Sequence, residues 1–147
     1  MTATAHALIG TIIAAKIGNP TLAIPIAIAS HVVADAIPHW DTGTNRENKG
    51  FKKMFIDTFL DVALGFYLSY LLVILFFPKT DPGYVFIMII ASQLLDWLTA
   101  PYYFFHIKAF RWFYFFQKSF NNDLALPWGL VTQIVPLGLL LILAKIF

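Results

Sequence analysis

The stretch FIDTFLDVALGFYLSYLLVILFF, residues 55–77, decides the fold of this chain. It is apolar on all sides of a helix except for Asp57 and Asp61 near its start, and it ends at Pro78. A helix of this kind belongs in lipid or in the core of a much larger protein. The chain has 147 residues, of which 59% are hydrophobic and 12% are charged, so lipid is the simpler solvent.

Four other apolar blocks flank this stretch, and each is bounded by a turn, a proline or a chain end. They run from Thr2 to Ile17, from Thr21 to Ile37, from Tyr84 to about Ala100 and from Leu124 to Phe147. A spanning helix needs about 20 mostly apolar residues, so the first two blocks are short spans. The sequence therefore predicts an all-α, polytopic membrane helix bundle with about five transmembrane helices. Residues 1–147 form one integral membrane domain in this prediction.

The segment from Tyr102 to Phe120 is dense in aromatic residues and also carries three cations. Aromatic rings and long basic side chains favour the headgroup region, so this segment predicts an aromatic interfacial helix. With five spans, one side of the membrane receives seven positive charges and the other receives three. The first set is Arg46, Lys49, Lys52, Lys53, Lys108, Arg111 and Lys118, and the second is Lys16, Lys79 and Lys145. The positive-inside rule then predicts a cytoplasmic N-terminus.

Composition excludes several classes of function. The sequence has no cysteine, which excludes disulfides, thiolate metal sites and cysteine nucleophiles. The net charge is +2 and there is no basic tail, so nucleic acid is not an expected partner, whereas membrane lipid is. The N-terminal block lacks a positively charged start and does not predict a cleaved signal peptide. The oligomeric state stays open.

Ionisable side chains lie at or near membrane depth in four of the five predicted helices. Such groups are costly in lipid and usually face the bundle interior or water. Up-and-down connection puts them all within about 10 Å of the same membrane face, at about 1.5 Å of rise per residue. The sequence therefore predicts one shared polar site at the cytoplasmic face. Its members are His6, His31, Asp35, His39, Asp41, Asp57, Asp61 and Asp96.

The spacing of these residues favours a metal site. His31 and Asp35 are one helical turn apart on one face, whereas Asp57 and Asp61 repeat that spacing with like charges that need a cation or a shared proton. Imidazole together with carboxylate suits a divalent ion, with zinc first and manganese or iron as alternatives. The predicted metal ligands are His6, His31, Asp35, His39 and Asp61. Either Asp57 or Asp96 is the predicted general base for an activated water.

A metal site is not the only arrangement that these residues can form. His31 and Asp35 can form an intrahelical hydrogen-bonded pair, Asp57 can favour a helix N-terminus, and Asp96 can pair with an interfacial lysine. The whole cluster can serve a small ion- or proton-coupled transporter, which requires access from both faces. The external halves of the helices are almost entirely apolar and argue against this. The cluster can also lock the helices of a non-catalytic structural membrane protein.

The segment from Ser30 to Asp41 has the form S-H-x3-D-x2-P-H-x-D, and Thr4-Ala5-His6 precedes it. This pattern resembles small membrane-bound metal-dependent hydrolases, the group that includes the LexA-regulated inner-membrane hydrolases. It is distantly similar to the H-x3-D motif of zinc-dependent phospholipases C. The resemblance covers roughly the first 60 residues. It implies an inner-membrane hydrolase of a phosphodiester or lipid-headgroup ester, with His6, His31, Asp35 and His39 as metal ligands.

Overall fold

The computed structural model of the protein describes residues 1–44 and 48–147. Arg46, part of the predicted basic loop, lies outside the described residues. The described residues form helices and their connections without a β-strand, which confirms the all-α prediction. A short 3₁₀ helix, Lys108–Phe110, accompanies seven α-helices within these ranges. They are α1 (Ala3–Lys16), α2 (Pro20–Ala36), α3 (Phe51–Phe76), α4 (Pro82–Ser92), α5 (Leu94–Phe105), α6 (Arg111–Lys118) and α7 (Trp128–Ile146).

Fewer than five of these helices meet the length and composition of a membrane span. The helices α3, with 26 residues, and α7, with 19 residues, are long and apolar enough, with mean hydropathies of 2.1 and 2.0. The helices α4 and α5 qualify only together, and they are bent by 51° at Gln93. The helices α1 and α2 have 14 and 17 residues, because a turn around Asn19 and the break before Pro38 end them early. The described chain thus supports two spans, or three if the bent pair counts as one.

The helix α1 lies at the centre of the packing and contacts α2, α3, α4 and α7. Small residues allow this close packing. A methyl group at Gly10 would come within 2.6 Å of the Met88 carbonyl oxygen and of the Ser92 hydroxyl, so α1 and α4 approach without room for a side chain there. Because other helices surround α1, His6 lies in the interior of the bundle and its side chain is almost completely inaccessible to solvent.

The segment from Tyr102 to Phe120, which the sequence predicted as an interfacial helix, comprises the end of α5, the 3₁₀ helix and α6 in the structure. Pro101 lies inside α5, which continues to Phe105, whereas the sequence predicted that a helix would stop there. His106 then adopts a left-handed conformation with φ of 55°, and its amide donates to the Tyr102 carbonyl oxygen. This closure ends α5. The chain reverses, α6 packs back against α5, and Gln117 is carried towards the bundle interior.

Candidate metal centre

Four of the predicted site residues meet where α1, α2 and α5 come together, and we call them the His/Asp cluster: His6, His31, Asp35 and Asp96. Asp35 Oδ1 lies 3.0 Å from His6 Nε2, and Asp35 Oδ2 lies 3.2 Å from His31 Nε2. The two imidazole rings stack in parallel with their centroids 3.8 Å apart. Asp96 Oδ1 lies 3.6 Å from His31 Nε2. The first three side chains are buried, and Asp96 is about a third exposed.

The hydrogen bonding of His31 fixes which ring nitrogen faces the cluster. Its Nδ1 lies 2.7 Å from the Ser92 carbonyl oxygen. A carbonyl oxygen only accepts, so Nδ1 carries the proton and donates it to Ser92. In the neutral ring, Nε2 then presents a lone pair to two carboxylate oxygens. A backbone partner on the far nitrogen is also what orients histidines that bind metal ions.

The geometry of this cluster fits a divalent ion. Zinc binds nitrogen and oxygen ligands at about 2.0–2.2 Å, so neighbouring ligand atoms in a tetrahedral shell are about 3.4 Å apart. The distances of 3.2 Å and 3.6 Å from His31 Nε2 to the two carboxylates bracket that value. His6, His31 and Asp96 each offer a ligand atom within 4.8 Å of the others. Within the described residues, His6 Nδ1 is buried and has no hydrogen-bond partner.

Gln117 is a member of the site that the sequence did not reveal. Its Nε2 lies 2.7 Å from Asp96 Oδ1, 3.2 Å from His31 Nε2 and 3.3 Å from Asp35 Oδ2. An amide nitrogen carries two protons, and here it faces three acceptors. Gln117 carries no charge, so the search for ionisable residues in the sequence did not identify it. The sequence feature that could have identified it is a single amide side chain within an otherwise aromatic and basic helix.

His39 follows α2 and is held in place by its backbone. Its amide donates to the Asn122 carbonyl oxygen at 2.9 Å, and its own carbonyl oxygen accepts from the Leu124 amide at 2.6 Å. This short parallel bridge fixes the extended segment after Pro38. The His39 side chain is completely buried, and its Nδ1 lies 2.7 Å from the Ile37 carbonyl oxygen. The Nε2 atom is therefore the one that faces other side chains.

Two carboxylates and one amino group surround His39 Nε2. Asp41 Oδ2 lies at 3.7 Å and Asp35 Oδ1 at 3.9 Å. The amino group of Met1 lies 2.7 Å from the same nitrogen and also donates to Asp35 Oδ1. Burial alone would raise the pKa of Asp41, but the neighbouring His39 ring and the Met1 ammonium lower it below its ordinary value. Asp41 is therefore ionised at neutral pH.

Asp61 and Asp57 lie outside the His/Asp cluster. Asp61 Oδ2 accepts from the Ala3 amide at 2.7 Å, and Oδ1 accepts from the amide and hydroxyl of Thr4 at 3.1 Å and 2.7 Å. These bonds satisfy the first amides of α1, where a negative charge is also favoured by the helix dipole. Asp57 pairs with Lys53 at 3.1 Å one turn away, at the surface. The structure places one carboxylate as an anchor for α1 and the other in a surface ion pair.

A cleft of about 850 Å³ opens beside these groups. Met1, Asp41, Asp96 and Gln117 are among the residues that line it. The remaining lining combines aromatic rings with lysines, neutral polar side chains and the carboxylates of Asp61 and Asp123. It includes Phe51, Trp97, Tyr103, Phe104, Tyr114, Lys49 and Lys118. The cleft therefore joins the His/Asp cluster to a surface that carries aromatic rings, two lysines and two further carboxylates.

No protein-family model, curated protein or solved structure matches this chain. The structure brings His6, His31, Asp35 and Asp96 into one cluster and places His39 and Asp41 on its far side. It leaves the two carboxylates near the start of α3 apart from that cluster.

Proposed function

We propose that the chain is a membrane-embedded, metal-dependent hydrolase whose divalent ion is held by the His/Asp cluster. One observation carries this proposal: His31 Nε2, Asp35 Oδ2 and Asp96 Oδ1 converge, and the first two of these side chains are buried. Converging acceptors are unfavourable unless a positive charge lies among them. Zinc is the first candidate for this ligand set, and manganese or iron are alternatives. A divalent ion there would lower the pKa of bound water and polarise a phosphoryl oxygen.

The chain supplies the other groups that hydrolysis needs. Of the two carboxylates predicted as general bases, Asp96 borders the cleft, and Asp57 does not. A carboxylate has two oxygens, so Asp96 can contact the ion with one and accept a proton from water with the other. Gln117 donates to Asp96 at 2.7 Å and holds that carboxylate at the mouth of the cluster.

The cleft offers two lysines and several aromatic rings to a substrate. Lys49 and Lys118 offer positive charge to a phosphate, while rings such as Trp97 and Phe104 suit the region between headgroups and acyl chains. A phosphodiester or a lipid-headgroup ester combines these two properties. We therefore propose a membrane lipid of this class as the substrate, reaching the cluster from the cytoplasmic interface.

The proposal is tested by hydrolysis of a phospholipid in mixed micelles, measured through the alcohol and the phosphomonoester that form when water cleaves one P–O ester bond. Purified protein should hydrolyse the phospholipid when loaded with zinc, and EDTA should lower the rate at least about 100-fold, as expected for removal of a catalytic metal. Zinc should restore the rate. A His31→Asn preparation, purified in the same way, serves as the control for contaminating enzymes and should be inactive. Equal rates in zinc and in EDTA, or no hydrolysis in either, would overturn the proposal.

The membrane arrangement belongs to the same proposal. We place the protein in the inner membrane with a cytoplasmic N-terminus, and we propose that α1 and α2 are short spans that bring the total to about five. The basis is the seven-to-three division of positive charges and the apolar composition of both helices. These two helices are about 21 Å and 26 Å long, so crossing the bilayer requires local thinning or burial against their neighbours.

Single cysteines test this topology, because the native chain has none. Asn48→Cys should react with a membrane-impermeant maleimide from the cytoplasmic side only. Gly18→Cys and Asp81→Cys should react only from the opposite side, since α1 and α3 each cross once in a five-span arrangement. All three positions are exposed in the fold. Reaction of Gly18→Cys from the cytoplasmic side would show that α1 and α2 do not cross separately.

A further inference from the structure

We propose that a gap between the first half of α3 and α5 binds an acyl chain of a membrane phospholipid, and that the lipid enters the cleft sideways through this gap. This inference rests on the proposed function, because it concerns how the substrate of that function binds. The proposed function puts the phosphoester at the His/Asp cluster and assigns no residue to the acyl chain. The walls of this α3/α5 gap are Met54, Thr58, Asp61 and Val62 of α3 and Asp96, Trp97, Ala100 and Phe104 of α5.

The α3 wall is one side of a helix. Met54, Thr58, Asp61 and Val62 line the cleft at intervals of three or four residues, which places them on the same face. The polar groups of this wall have partners within the protein. The Thr58 hydroxyl lies 3.1 Å from that of Thr42, and Asp61 accepts from the first amides of α1. The apolar side chains of Met54 and Val62 therefore remain available to a substrate.

The α5 wall connects the His/Asp cluster to an apolar surface. Asp96, Trp97, Ala100 and Phe104 again share one helix face, and all four line the cleft. Asp96 belongs to the cluster, and the face continues from it to Phe104 over about 12 Å, at about 1.5 Å of rise per residue. A substrate whose phosphoester lies at Asp96 thus finds an apolar surface directly beside it, where an acyl chain can lie.

Aromatic rings close one end of the α3/α5 gap. The helix α3 packs against α1 and α4, whereas α5 packs against α6. The start of α3 meets the end of α5 through side chains, because the rings of Phe51 and Phe55 lie 6.1 Å and 5.5 Å from the Phe104 ring. Phe51 and Phe55 are about half exposed, and exposed side chains change rotamer rapidly. Side-chain rotation can therefore widen the gap without moving a helix.

The α3/α5 gap is continuous with the surface that faces lipid. The helix α3 is long and apolar enough to span a membrane, and Phe55, Phe59 and Leu60 beside the gap are exposed. Trp97 lines the cleft and is itself 38% exposed, so it lies at the rim between the two surfaces. Apolar side chains therefore extend without interruption from the outside of α3 into the cleft.

The size of the cleft requires an exit for the acyl chains. Its volume of about 850 Å³ is that of a pocket for a drug-sized ligand. A phospholipid with two acyl chains is larger, so only its headgroup and the first part of a chain fit inside. The α3/α5 gap lets the rest of the chain stay in the hydrocarbon of the bilayer. The rival hypothesis is that substrates enter from the aqueous side only and that no chain occupies the gap.

Tryptophan fluorescence measures chain binding without catalysis. The full-length chain keeps Trp97 as its only tryptophan and is placed, in EDTA, in vesicles of phosphatidylglycerol brominated near the glycerol end of an acyl chain. Bromine quenches a tryptophan that it contacts. Val62→Phe and Ala100→Phe should each reduce this quenching about twofold or more, because a ring fills the volume that the chain would occupy. Leu60→Phe is the matched control on the outside of α3 and should leave it unchanged. The tryptophans replaced by phenylalanine are Trp40, Trp112 and Trp128.

Kinetics with two substrates measure the role of the α3/α5 gap in hydrolysis. In the otherwise native, zinc-loaded chain, Val62→Phe and Ala100→Phe should each lower kcat/KM for long-chain phosphatidylglycerol about tenfold or more. The same variants should change kcat/KM for bis(p-nitrophenyl) phosphate, a soluble phosphodiester without an acyl chain, by less than about twofold, since remote contacts act only on a substrate that makes them. Leu60→Phe should alter neither value.

The other outcomes separate the acyl-chain site from the proposed function. An unquenched Trp97, or quenching that neither gap variant reduces, would overturn the acyl-chain site. Equal losses of kcat/KM for both substrates, or no loss for either, would overturn the lateral entrance and leave the proposed function standing. Reduced quenching in the gap variants, without hydrolysis of either substrate by the native chain, would overturn the proposed function and leave the acyl-chain site. Circular dichroism and gel filtration establish folding, and Ala100→Phe provides the independent check if Val62→Phe is not folded.

Discussion

Asp35→Asn should abolish metal binding and lower kcat/KM for phosphodiester hydrolysis at least about 10³-fold, which equals about 4 kcal/mol. Asp35 presents one oxygen to His31 and the other to His6, His39 and the Met1 amino group. Asparagine keeps the shape but replaces one of those oxygens with a proton donor and removes the negative charge. An amide N–H that donates to a histidine nitrogen occupies the lone pair that would otherwise bind the metal ion. Elemental analysis and the rate of phosphodiester hydrolysis by the purified variant measure both effects.

Asp61→Asn is the matched control, because it makes the same chemical change in another carboxylate at membrane depth. Asp61 accepts hydrogen bonds from the first turn of α1. This variant should keep its metal content and lose about 1 to 2 kcal/mol of stability, the usual effect of removing a charged helix cap. If Asp61→Asn loses its metal as Asp35→Asn does, Asp61 is a ligand as the sequence pattern predicted, and the His/Asp cluster is an incomplete ligand set.

The sequence predicted the centre of the site for a physical reason. Polar side chains in apolar helices are conspicuous, because their burial in lipid needs compensation. The spacing of His31 and Asp35 follows from helical geometry, and alternating helix directions bring His6 and Asp96 to the same level. These relations depend only on helix periodicity and chain direction, which a sequence displays.

The periphery of the site depends on tertiary contacts that have no sequence periodicity. Gln117 reaches the cluster because the chain reverses at a left-handed His106, and His39 is positioned by a backbone bridge to a segment more than 80 residues away. In the sequence, Asp61 is a carboxylate at membrane depth, and it therefore could not be told apart from a metal ligand. The amides at a helix start compensate a carboxylate as a cation does, and the sequence does not distinguish these partners. The bend at Gln93 is likewise not visible in the sequence. It divides one apolar segment into α4 and α5, which are long enough for a span only when they are taken together.

Chelation should lower the melting temperature of the detergent-solubilised protein by about 5 to 10 °C. An ion present at about 100 times its Kd stabilises a protein by about 2.7 kcal/mol, and a chain of this size shifts by about 2 to 4 °C for each kcal/mol. The physical cause is the loss of the charge that compensates Asp35 and Asp96. Once the ion is removed, His31, Asp35 and Asp96 retain the Gln117 amide as a shared donor, with fewer protons than acceptors.

The measurement compares melting with zinc, with EDTA and with EDTA already saturated by zinc, which controls for effects of the chelator itself. His31→Asn removes the Nε2 lone pair on which the site depends, so its melting temperature should be the same under all three conditions. The protein without an ion is still held together by the contact of Met1 with Asp35 and by the packing of α1, so EDTA should shift the transition without abolishing it. Identical melting of wild type with zinc and with EDTA, together with wild-type melting of His31→Asn, would contradict the metal site. The buried histidines and carboxylates would then act as a polar lock between α1, α2 and α5, with the Met1 and Gln117 nitrogens as their permanent partners.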